Sequence, residues 1–477
     1  MQPLSRRTFL GAMGAGATSL LLPGCGAPAR RPPNFLVVMA DDLGASNLSC
    51  YGGTRIETPN LDQLAAGGMR FETCWSTPLC TPTRIELMTG QYAGRTGWFN
   101  YFGRAYAPLP ESSLYPIGAK RTFADVLRTR GYRTAVAGKW QLPGGEPDAI
   151  PPGEEDAREQ RMVYDAGFDE YLVWAWFHPI PGGRHTGRFE VPNLPARYWH
   201  PGILRNGEYV PTQRTDYGPD LFADFIVDFM RRHRDLPFLA YYPMVLTHAP
   251  WEPPPDRKHP TGRGNAGFEA NVAYMDRIVG RLLSALSDLK LREDTVVLFT
   301  GDNAARYSKG RTTELGVRVP LIASGPGYVK PGTTSDALVD LSDVFPTLVS
   351  LAGASIPDGH RVDGSPLDRT LRGDVGDHRE WIHSYLADKR LLRDRRWLRE
   401  GDGRLFDCGD ERSGTGYEDV TQSTGSDVAD ARDRFDAILA AIPGPEDLAG
   451  ELILPSDLAP GGRFHGHSLF GNSKACT

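Results

Sequence analysis

The chain has 477 residues, of which 40% are apolar and 23% charged, and its formal net charge is -6. This length and apolar content support a large buried core, which excludes an intrinsically disordered chain and a small disulfide-stabilised domain. The acidic balance, without any basic stretch, excludes a protein that binds nucleic acid through its phosphates.

Residues 1–24 resemble an export signal. Arg6 and Arg7 precede an apolar run rich in small residues, which is typical of a twin-arginine signal peptide. The run ends in a sequence similar to a lipoprotein processing site, at which Cys25 would be acylated. The alternative is cleavage near residues 27–29 and a soluble product. We therefore expect an exported protein, periplasmic or at the cell surface, that meets a membrane only through a lipid anchor.

From residue 33 onwards, apolar runs of strand length alternate with amphipathic helical segments. The predicted strands are 34–40, 134–137, 237–246 and 295–300. The predicted helices are 60–66, 122–128, 219–232 and 268–289. This alternation predicts an α/β fold with a large, mainly parallel sheet sandwiched by helices.

Two regions depart from the alternation. Residues 143–217 are rich in Pro, Gly and aromatic side chains, and we expect long loops over one edge of the sheet. Near the C-terminus, three short strand-like segments and a helix predict a small antiparallel sheet with a packed helix; they are 383–386, 396–399, 404–407 and 428–441. We therefore expect a catalytic domain at 33–375, which contains the 143–217 insert, and a small C-terminal subdomain at 376–477.

Two predicted strands end in side chains that suit a hard divalent cation. Asp41 and Asp42 follow the first strand, and Asp302 and Asn303 follow the strand that ends at residue 300. Reactive groups of open α/β sheets collect beyond the carboxyl ends of the strands. Three carboxylates and an amide oxygen, with no Cys or His beside them, favour Ca²⁺ over Zn²⁺. Taken alone, an Asp-Asp pair is more often a cap or a turn than a metal ligand, but two such pairs at two strand ends favour a ligand role.

The segment Cys80-Thr81-Pro82-Thr83-Arg84, with Thr89-Gly90 downstream, closely resembles the signature of the formylglycine-dependent (type I) sulfatases, which belong to the alkaline-phosphatase-like superfamily. Pro82 favours a first helical turn, which places residue 80 just before a helix N-terminus, where anions bind. Arg84, one turn later, can offer its guanidinium to an anion. An isolated Cys would otherwise be read as a small buried apolar residue.

The resemblance extends in the family's order from residue 34 to about residue 350. Its further blocks are Asp41-Asp42, Thr58–Asp62, Gly138-Lys139-Trp140, Thr247-His248, Gly301-Asp302-Asn303 and Lys309. The resemblance implies that a metal ion, Ca²⁺ rather than Mg²⁺, is bound by Asp41, Asp42, residue 80, Asp302 and Asn303.

The resemblance also implies a mechanism. A formylglycine-generating enzyme would oxidise Cys80 to formylglycine, whose hydrated aldehyde places one oxygen on the metal and attacks sulfur. Arg84, Lys139 and Lys309 would bind the sulfate and compensate its charge. His248, alone or with Lys309, would protonate the leaving alcohol.

One position departs from the family's pattern. Where the family usually has Gly-Lys-Trp-His-Leu, this chain has Gln141 after Gly138-Lys139-Trp140. The usual His contacts the formylglycine hydroxyl and is a candidate base for expelling sulfate, whereas Gln141 can hold a hydroxyl but cannot take its proton at pH 7. Either water or one of His178, His185 and His200 replaces that base, or turnover is slow. A surface or loop role is favoured for these three histidines.

Several aromatic side chains of the insert and of the segment after the signature could stack on a sugar ring, although packing of a loop-rich core is favoured for most. They are Trp98, Phe99, Tyr101, Phe102, Tyr171, Trp174, Trp176, Phe177, Tyr198 and Trp199. His465 and His467 could bind metal adventitiously. Disulfide pairs among Cys50, Cys74, Cys408 and Cys476 are left open because spacing does not determine them.

The sequence therefore predicts an exported sulfuric ester hydrolase that acts on a small-molecule or oligosaccharide sulfate ester, with a sulfated carbohydrate favoured because of the location. Two alternatives remain. The same formylglycine site could hydrolyse phosphonates or phosphodiesters, or the chain could be a catalytically impaired glycan-binding lipoprotein, with Gln141 marking lost catalysis. A zinc phosphatase is disfavoured because Asn303 stands where such enzymes use a His-rich second metal site.

Overall fold

The computed structural model describes residues 31–100, 106–107, 121–142, 155–175, 196–256, 258–259, 262–374, 376, 378–444 and 451–452. The expected export signal with Arg6, Arg7 and Cys25 lies outside these residues, as do Cys476, His465 and His467.

The strands are, in chain order, β1 (Asn34–Ala40), β2 (Met69–Trp75), β3 (Tyr106–Ala107), β4 (Arg133–Gly138), β5 (Glu170–Trp174), β6 (Ile203–Arg205), β7 (Glu208–Val210), β8 (Phe238–Pro243), β9 (Thr295–Gly301), β10 (Leu321–Ser324), β11 (Thr333–Asp340), β12 (Ile382–Leu386), β13 (Lys389–Arg393), β14 (Trp397–Arg399), β15 (Leu405–Asp407), β16 (Glu418–Asp419) and β17 (Glu451–Leu452). The α-helices are α1 (Pro59–Ala66), α2 (Cys80–Thr89), α3 (Ala93–Thr96), α4 (Phe123–Arg128), α5 (Glu155–Asp165), α6 (Gly218–Arg232), α7 (Phe268–Asp288), α8 (Glu314–Val317), α9 (Val344–Leu351), α10 (Asp368–Leu371) and α11 (Ser426–Ala441). Short 3₁₀ helices cover Ala45–Asn47, Ser49–Tyr51, Arg292–Asp294, Arg306–Ser308 and Leu341–Asp343.

Ten strands form one main sheet in the order β11-β2-β10-β9-β1-β8-β4-β5-β6-β7. The central strands β9, β1, β8, β4 and β5 are mutually parallel, while β10 and β6 run antiparallel to their neighbours. This arrangement confirms the predicted α/β sheet.

Helices cover both faces of the main sheet because successive strand residues point to opposite sides. On β1, Phe35 and Val37 pack with α2, α4 and α9, whereas Leu36 and Val38 pack with α1, α6 and α7. The central strands are therefore buried on both faces, which explains their nearly continuous apolar sequences.

The insert is more regular than the sequence predicted. Within 143–217, the structure contains α5, and β5, β6 and β7 extend the main sheet beyond β4. The expectation of long loops over the sheet edge was therefore wrong for these segments. The strands are only three to five residues long and mix polar with aromatic side chains, which hides their alternation.

The C-terminal part contains the predicted antiparallel sheet, in the order β12-β13-β14-β15-β16, with α11 packed on it. Its other face packs against the main sheet, where Ile382 and Leu391 meet Trp75 of β2 and Leu338 of β11. The domain boundary at residue 375 stays a prediction.

Two further findings concern the thiols and the helices. Cys50, Cys74, Cys80 and Cys408 are all free, so the structure contains no disulfide within the part of the chain that it describes. No helix among the same residues is both long and apolar enough to cross a membrane.

Candidate active site

The two Asp-containing strand ends lie side by side. Strands β1 and β9 pair in parallel with Ala40 opposite Gly301, so the residues that follow them emerge at the same edge of the sheet. The backbone N–H of Asp302 donates to Ala40 O at 3.0 Å, and that of Asp42 donates to Asp302 Oδ1 at 2.9 Å. Register between two adjacent strands therefore brings Asp41, Asp42 and Asp302 together.

The side-chain oxygen of Asn303 lies at this cluster and has no hydrogen-bond partner among the described residues. Its Nδ2 donates to Asp42 Oδ1 at 2.7 Å and to Ala304 O at 2.9 Å. Its Oδ1 is buried and has no hydrogen-bond donor among the residues that the structure describes. An orphaned buried oxygen is costly unless a ligand completes it, so Asn303 is suited to a cation.

Cys80 lies at the first residue of α2 and is completely buried. The helix begins at Cys80 itself, so the expectation that residue 80 lies just before it was wrong by one position. Hydrogen bonds from Thr83 Oγ1 to Leu79 O and from Thr77 N to Thr83 Oγ1 fix the preceding turn. Within 4.8 Å of one another lie Cys80 Sγ and one carboxylate oxygen each of Asp41 and Asp302.

Arg84, one turn further along α2, is held against the carboxylates. Its Nη2 donates to Asp302 Oδ2 at 2.6 Å and lies 3.6 Å from Asp41 Oδ1, while Nη1 donates to Lys139 O at 2.9 Å. The side chain is 1% exposed. The guanidinium thus links the signature helix to the ends of β4 and β9.

Lys139 reaches the cluster from the end of β4. Its Nζ donates to both carboxylate oxygens of Asp41 at 2.8 Å. The preceding Gly138 has a φ of 119°, and a Cβ there would lie 2.0 Å from Pro243 O of β8. Only glycine permits this close approach of the two strands, which directs Lys139 into the site.

Lys309 reaches the cluster from the loop that follows β9, directly after the 3₁₀ turn Arg306–Ser308. Its Nζ donates to Asp42 Oδ1 at 2.6 Å, and its side chain is 22% exposed. Burial would lower the pKa of Lys309, but Asp42, with further acidic neighbours, raises it above its usual value. Lys309 therefore carries a proton at neutral pH.

The three carboxylates differ in their protonation. Burial raises carboxyl pKa values, but Lys139, His248 and Arg84 outweigh it at Asp41 and hold the pKa of that group well below its usual range. At Asp302, burial and the nearby charge of Asp41 raise the pKa to about 6 despite Arg84. The charge of Asp41 thus opposes the ionisation of Asp302, and a bound cation would relieve that repulsion.

His248 lies beside Asp42, with its Nε2 3.6 Å from Asp42 Oδ2. Its Nδ1 bonds to the carbonyl oxygen of Ala249, which only accepts, so the proton is on Nδ1. Burial lowers the pKa of His248 to about 3, against the opposing charge of Asp42. The imidazole is therefore neutral at pH 7, with the Nε2 lone pair facing the site.

Gln141 is buried with its amide unsatisfied. The residue is 3% exposed, and neither Oε1 nor Nε2 has a hydrogen-bond partner in the described part of the chain. Its φ of 54° is unusual for a residue with a side chain. A buried amide that lacks both kinds of partner, on a strained backbone beside Lys139, is typical of a group that awaits a ligand.

Arg197 is a site residue that sequence reasoning missed. Its Nη1 lies 3.8 Å from Asp41 Oδ2, and its guanidinium stacks over the Trp174 ring at 4.3 Å. No motif marks Arg197. Strand β5, which ends at the Trp174 ring that Arg197 contacts, is short and of mixed polarity, so it gave no detectable signal either.

His200 does not join this cluster, whereas Trp174 contacts Arg197 and the hydroxyl of Tyr198 donates to the backbone oxygen of His248. His200 Nδ1 is buried without a partner, and within the described residues no hydrogen bond or ion pair joins the His200 side chain to the site. His178 and His185 lie outside the described residues, as do Tyr101, Phe102, Trp176 and Phe177. The remaining aromatic candidates are at most 8% exposed and pack in the core; they are Trp98, Phe99, Tyr171, Trp174, Tyr198 and Trp199.

The side chains at this strand edge offer oxygen ligands of the kind that the expected divalent cation needs. Asp41, Asp42 and Asp302 supply carboxylate oxygens, and Asn303 supplies the orphaned amide oxygen. Such an all-oxygen set suits Ca²⁺, and the crowding that raises the pKa of Asp302 is what a dication would offset. The residues therefore fit the ion.

An open cleft of about 390 Å³ borders the loops that carry the site. Gly44 and Ala304, which line it, come two residues after Asp42 and one after Asn303. Tyr307, also in the lining, is 82% exposed. An exposed aromatic ring at the rim of such a cleft is available for stacking, and the sequence analysis did not single it out.

Comparisons with known proteins agree with this geometry. A family model described as Sulfatase matches residues 33–354. Human arylsulfatase A is 35% identical over 402 residues, which cover 78% of this chain and 74% of that protein. N-acetylgalactosamine-6-sulfatase of Canis lupus familiaris is 32% identical over 398 residues, covering 76% and 69%. The crystal structure of Ps i-CgsB has a similar fold, with a TM-score of 0.70 and 23% identity, over 90% of this chain and 96% of that one.

Proposed function

The chain belongs to the sulfatase family and is a sulfuric ester hydrolase, and we propose that it works through a formylglycine made from Cys80 and a bound Ca²⁺ ion, on a sulfated carbohydrate. The observation that carries this proposal is the convergence of residue 80, at the start of α2, with the carboxylates of Asp41 and Asp302. A formylglycine-generating enzyme is the partner that this proposal requires.

Five residues would hold the metal ion: Asp41, Asp42, residue 80, Asp302 and Asn303. When bound, the dication supplies Lewis acidity, and the hydrated aldehyde of formylglycine supplies the oxygen nucleophile that attacks sulfur. The start of α2 adds backbone N–H groups that favour an anion beside residue 80.

Three cations would compensate the charge of the sulfate oxygens. Arg84 and Lys139 are almost completely buried, and Lys309 is largely so, which strengthens their electrostatic effect relative to water. Their hydrogen bonds to the three Asp side chains fix them in place before an ester arrives. Positioning without reorganisation at the moment of reaction is the main electrostatic advantage of such a site.

Lys309 and His248 would handle the proton of the leaving alcohol. Both lie against Asp42, but only Lys309 is positively charged at neutral pH, because burial lowers the pKa of His248 to about 3 and Asp42 raises that of Lys309. We infer that Lys309 holds the proton and that His248 Nε2 accepts a hydrogen bond or relays this proton. This assignment gives Lys309 a larger part than the sequence analysis did.

Gln141 would orient, but not deprotonate, a hydroxyl at residue 80. Its amide is buried and offers one donor and one acceptor that no described residue uses. Because an amide does not titrate near pH 7, release of sulfate would need another base, such as water. We therefore propose a functional enzyme with slower release than a His at this position would give.

A sulfated sugar is favoured over other esters by two observations. One relative, the N-acetylgalactosamine-6-sulfatase of Canis lupus familiaris, is named for a sugar sulfate. The cleft lined by Gly44, Ala304 and the exposed Tyr307 ring begins within two residues of the proposed metal ligands along the chain, and we propose that it holds a further sugar unit. Export to the periplasm or cell surface, through the twin-arginine signal and Cys25, would bring the enzyme to such substrates.

A panel of esters tests the reaction class. The Ca²⁺-loaded enzyme with modified residue 80 is assayed on sulfate monoesters, phosphonate monoesters and phosphodiesters, with Cys80→Ala as the control. We expect sulfate esters to give the highest kcat/KM and the control to be inactive. Preference for phosphonates or phosphodiesters would favour the alternative hydrolase, and glycan binding without any turnover would favour the impaired lipoprotein.

A further inference from the structure

Arg197 differs from the other buried arginines in its pairing. Arg84, Arg379 and Arg393 each donate a hydrogen bond to a carboxylate, the partners being Asp302, Asp343 and Glu314. Arg318 donates from Nε and Nη2 to the backbone oxygen of Glu72. The nearest carboxylate oxygen to Arg197, Asp41 Oδ2, is 3.8 Å from Nη1, too far for a hydrogen bond. Its Nε and Nη1 have no acceptor among the described residues.

The charges of the site leave Arg197 in excess. Three carboxylates, of Asp41, Asp42 and Asp302, face three cations that contact them directly, namely Arg84, Lys139 and Lys309. Arg197, with 8% of its side chain exposed, therefore adds a buried positive charge without an anion of its own, and any bound dication increases the excess.

The neighbours of the Arg197 guanidinium position it to bind a ligand. Trp174, at the end of β5, lies 4.3 Å from the guanidinium and restricts its position, while the adjacent Asp41 keeps it at the site. A planar guanidinium with free N–H groups matches the paired oxygens of a sulfate or a carboxylate. A buried charge without a partner is costly, and an oxyanion would remove that cost.

We propose that Arg197 binds an oxyanion of the substrate and so contributes to substrate specificity; this inference rests on the proposed function. The oxyanion is either the sulfate group under attack or a second acidic substituent of the sugar, a carboxylate or another sulfate. Both have the same chemistry, and the substrate series below distinguishes them.

Binding of inorganic sulfate is measured first, by calorimetry on the full chain loaded with Ca²⁺. Arg197→Gln removes the charge, Arg197→Lys keeps it but removes the planar pair of donors, and Arg205→Gln is the matched control. Arg205 belongs to the same segment, is exposed and stacks over Phe225 at 5.8 Å. If Arg197 binds the sulfate under attack, Kd for sulfate rises about tenfold or more in Arg197→Gln, and less in Arg197→Lys.

Kinetics then locate the oxyanion. If it is the sulfate under attack, Arg197→Gln raises KM for a small aryl sulfate and for sugar sulfates alike, by about tenfold. If it is a second acidic group, sulfate binding and the aryl sulfate are unaffected, and KM rises only for sugars that carry a second acid. The inference is overturned if Arg197→Gln, folded and active, matches Arg205→Gln in all these measurements. Such a match would contradict the role of Arg197 but not the proposed sulfatase function. A wild-type enzyme without activity on any ester would contradict the proposed function, while the sulfate-binding measurement would still test Arg197.

Discussion

The ammonium of Lys139 donates to both carboxylate oxygens of Asp41 at 2.8 Å, in an ion pair that is completely shielded from solvent. Removal of Lys139 takes both of these hydrogen bonds from a buried carboxylate, whose remaining cations, Arg84 and Arg197, lie 3.6 and 3.8 Å away. We therefore expect Lys139→Met to lower the free energy of unfolding of the metal-free protein by about 3 kcal/mol and to abolish activity.

Urea denaturation at pH 7 measures this loss. The matched control is Arg372→Met, which breaks an exposed i,i+4 pair with Asp368 and should cost less than about 1 kcal/mol. An equal decrease in the free energy of unfolding in both variants would contradict a larger contribution of the buried pair.

A substitution at Gln141 is expected to increase activity. Replacement by His introduces a group that can take a proton near pH 7, so Gln141→His should raise kcat, by about tenfold, if sulfate release limits turnover. Gln141→Ala removes the orienting amide and should lower kcat. Steady-state kinetics on one sulfate ester compare the three proteins, and a His variant as slow as the Ala variant would show that this position does not govern release.

The oxygen cluster should make stability depend on Ca²⁺. A ligand that binds only the native state at 100 times its Kd stabilises by about 2.7 kcal/mol, which raises Tm by several degrees. Asp302→Asn and Asn303→Leu should lose most of this shift. Asp62→Asn, which alters a carboxylate bonded to Ser49 away from the site, should keep it. Thermal unfolding with Ca²⁺ and with a chelator gives the comparison, and an unchanged shift in the two site variants would contradict the assignment.

His383 of the C-terminal sheet makes stability depend on pH. Burial, with the charges of Arg390 and Arg379, holds the pKa of His383 well below its usual value, and neither ring nitrogen has a partner in the described structure. Because the unfolded chain takes up a proton near pH 6.5 and the folded chain does not, stability is lost as pH falls below about 6.5. His383→Phe should remove about 2 kcal/mol of the loss between pH 6.5 and 5. Urea denaturation at several pH values tests this, and parallel curves for both proteins would refute it.

Much of the fold followed from local sequence. The runs at β1 and β9 are mostly apolar because these strands are buried on both faces, so their lengths and the Asp residues that follow them were predictable. The helix after Cys80 was also expected from Pro82. Strand β13 was missed because charged Lys389 and Arg390 begin it and only its last residues are buried.

The remaining part of the site depends on long-range pairing. Arg197 reaches Asp41 only because β5 extends the sheet beside β4, a pairing that short strands with mixed polarity do not signal. The exposure of Tyr307 is likewise a property of the folded loops. Family motifs identify side chains, whereas the pairing of Lys309 with Asp42 and the neutral state of His248 appear only in three dimensions.

The central claim is that hydrolysis requires a modified residue 80. Its most direct test compares the rate of sulfate release with the fraction of the residue-80 peptide that carries formylglycine, which mass spectrometry measures. Preparations made with and without a co-expressed formylglycine-generating enzyme supply the range of modification. We predict that the rate is proportional to the modified fraction and vanishes at zero. A rate that persists with an unmodified thiol, or an absent rate at full modification, would contradict the proposed mechanism.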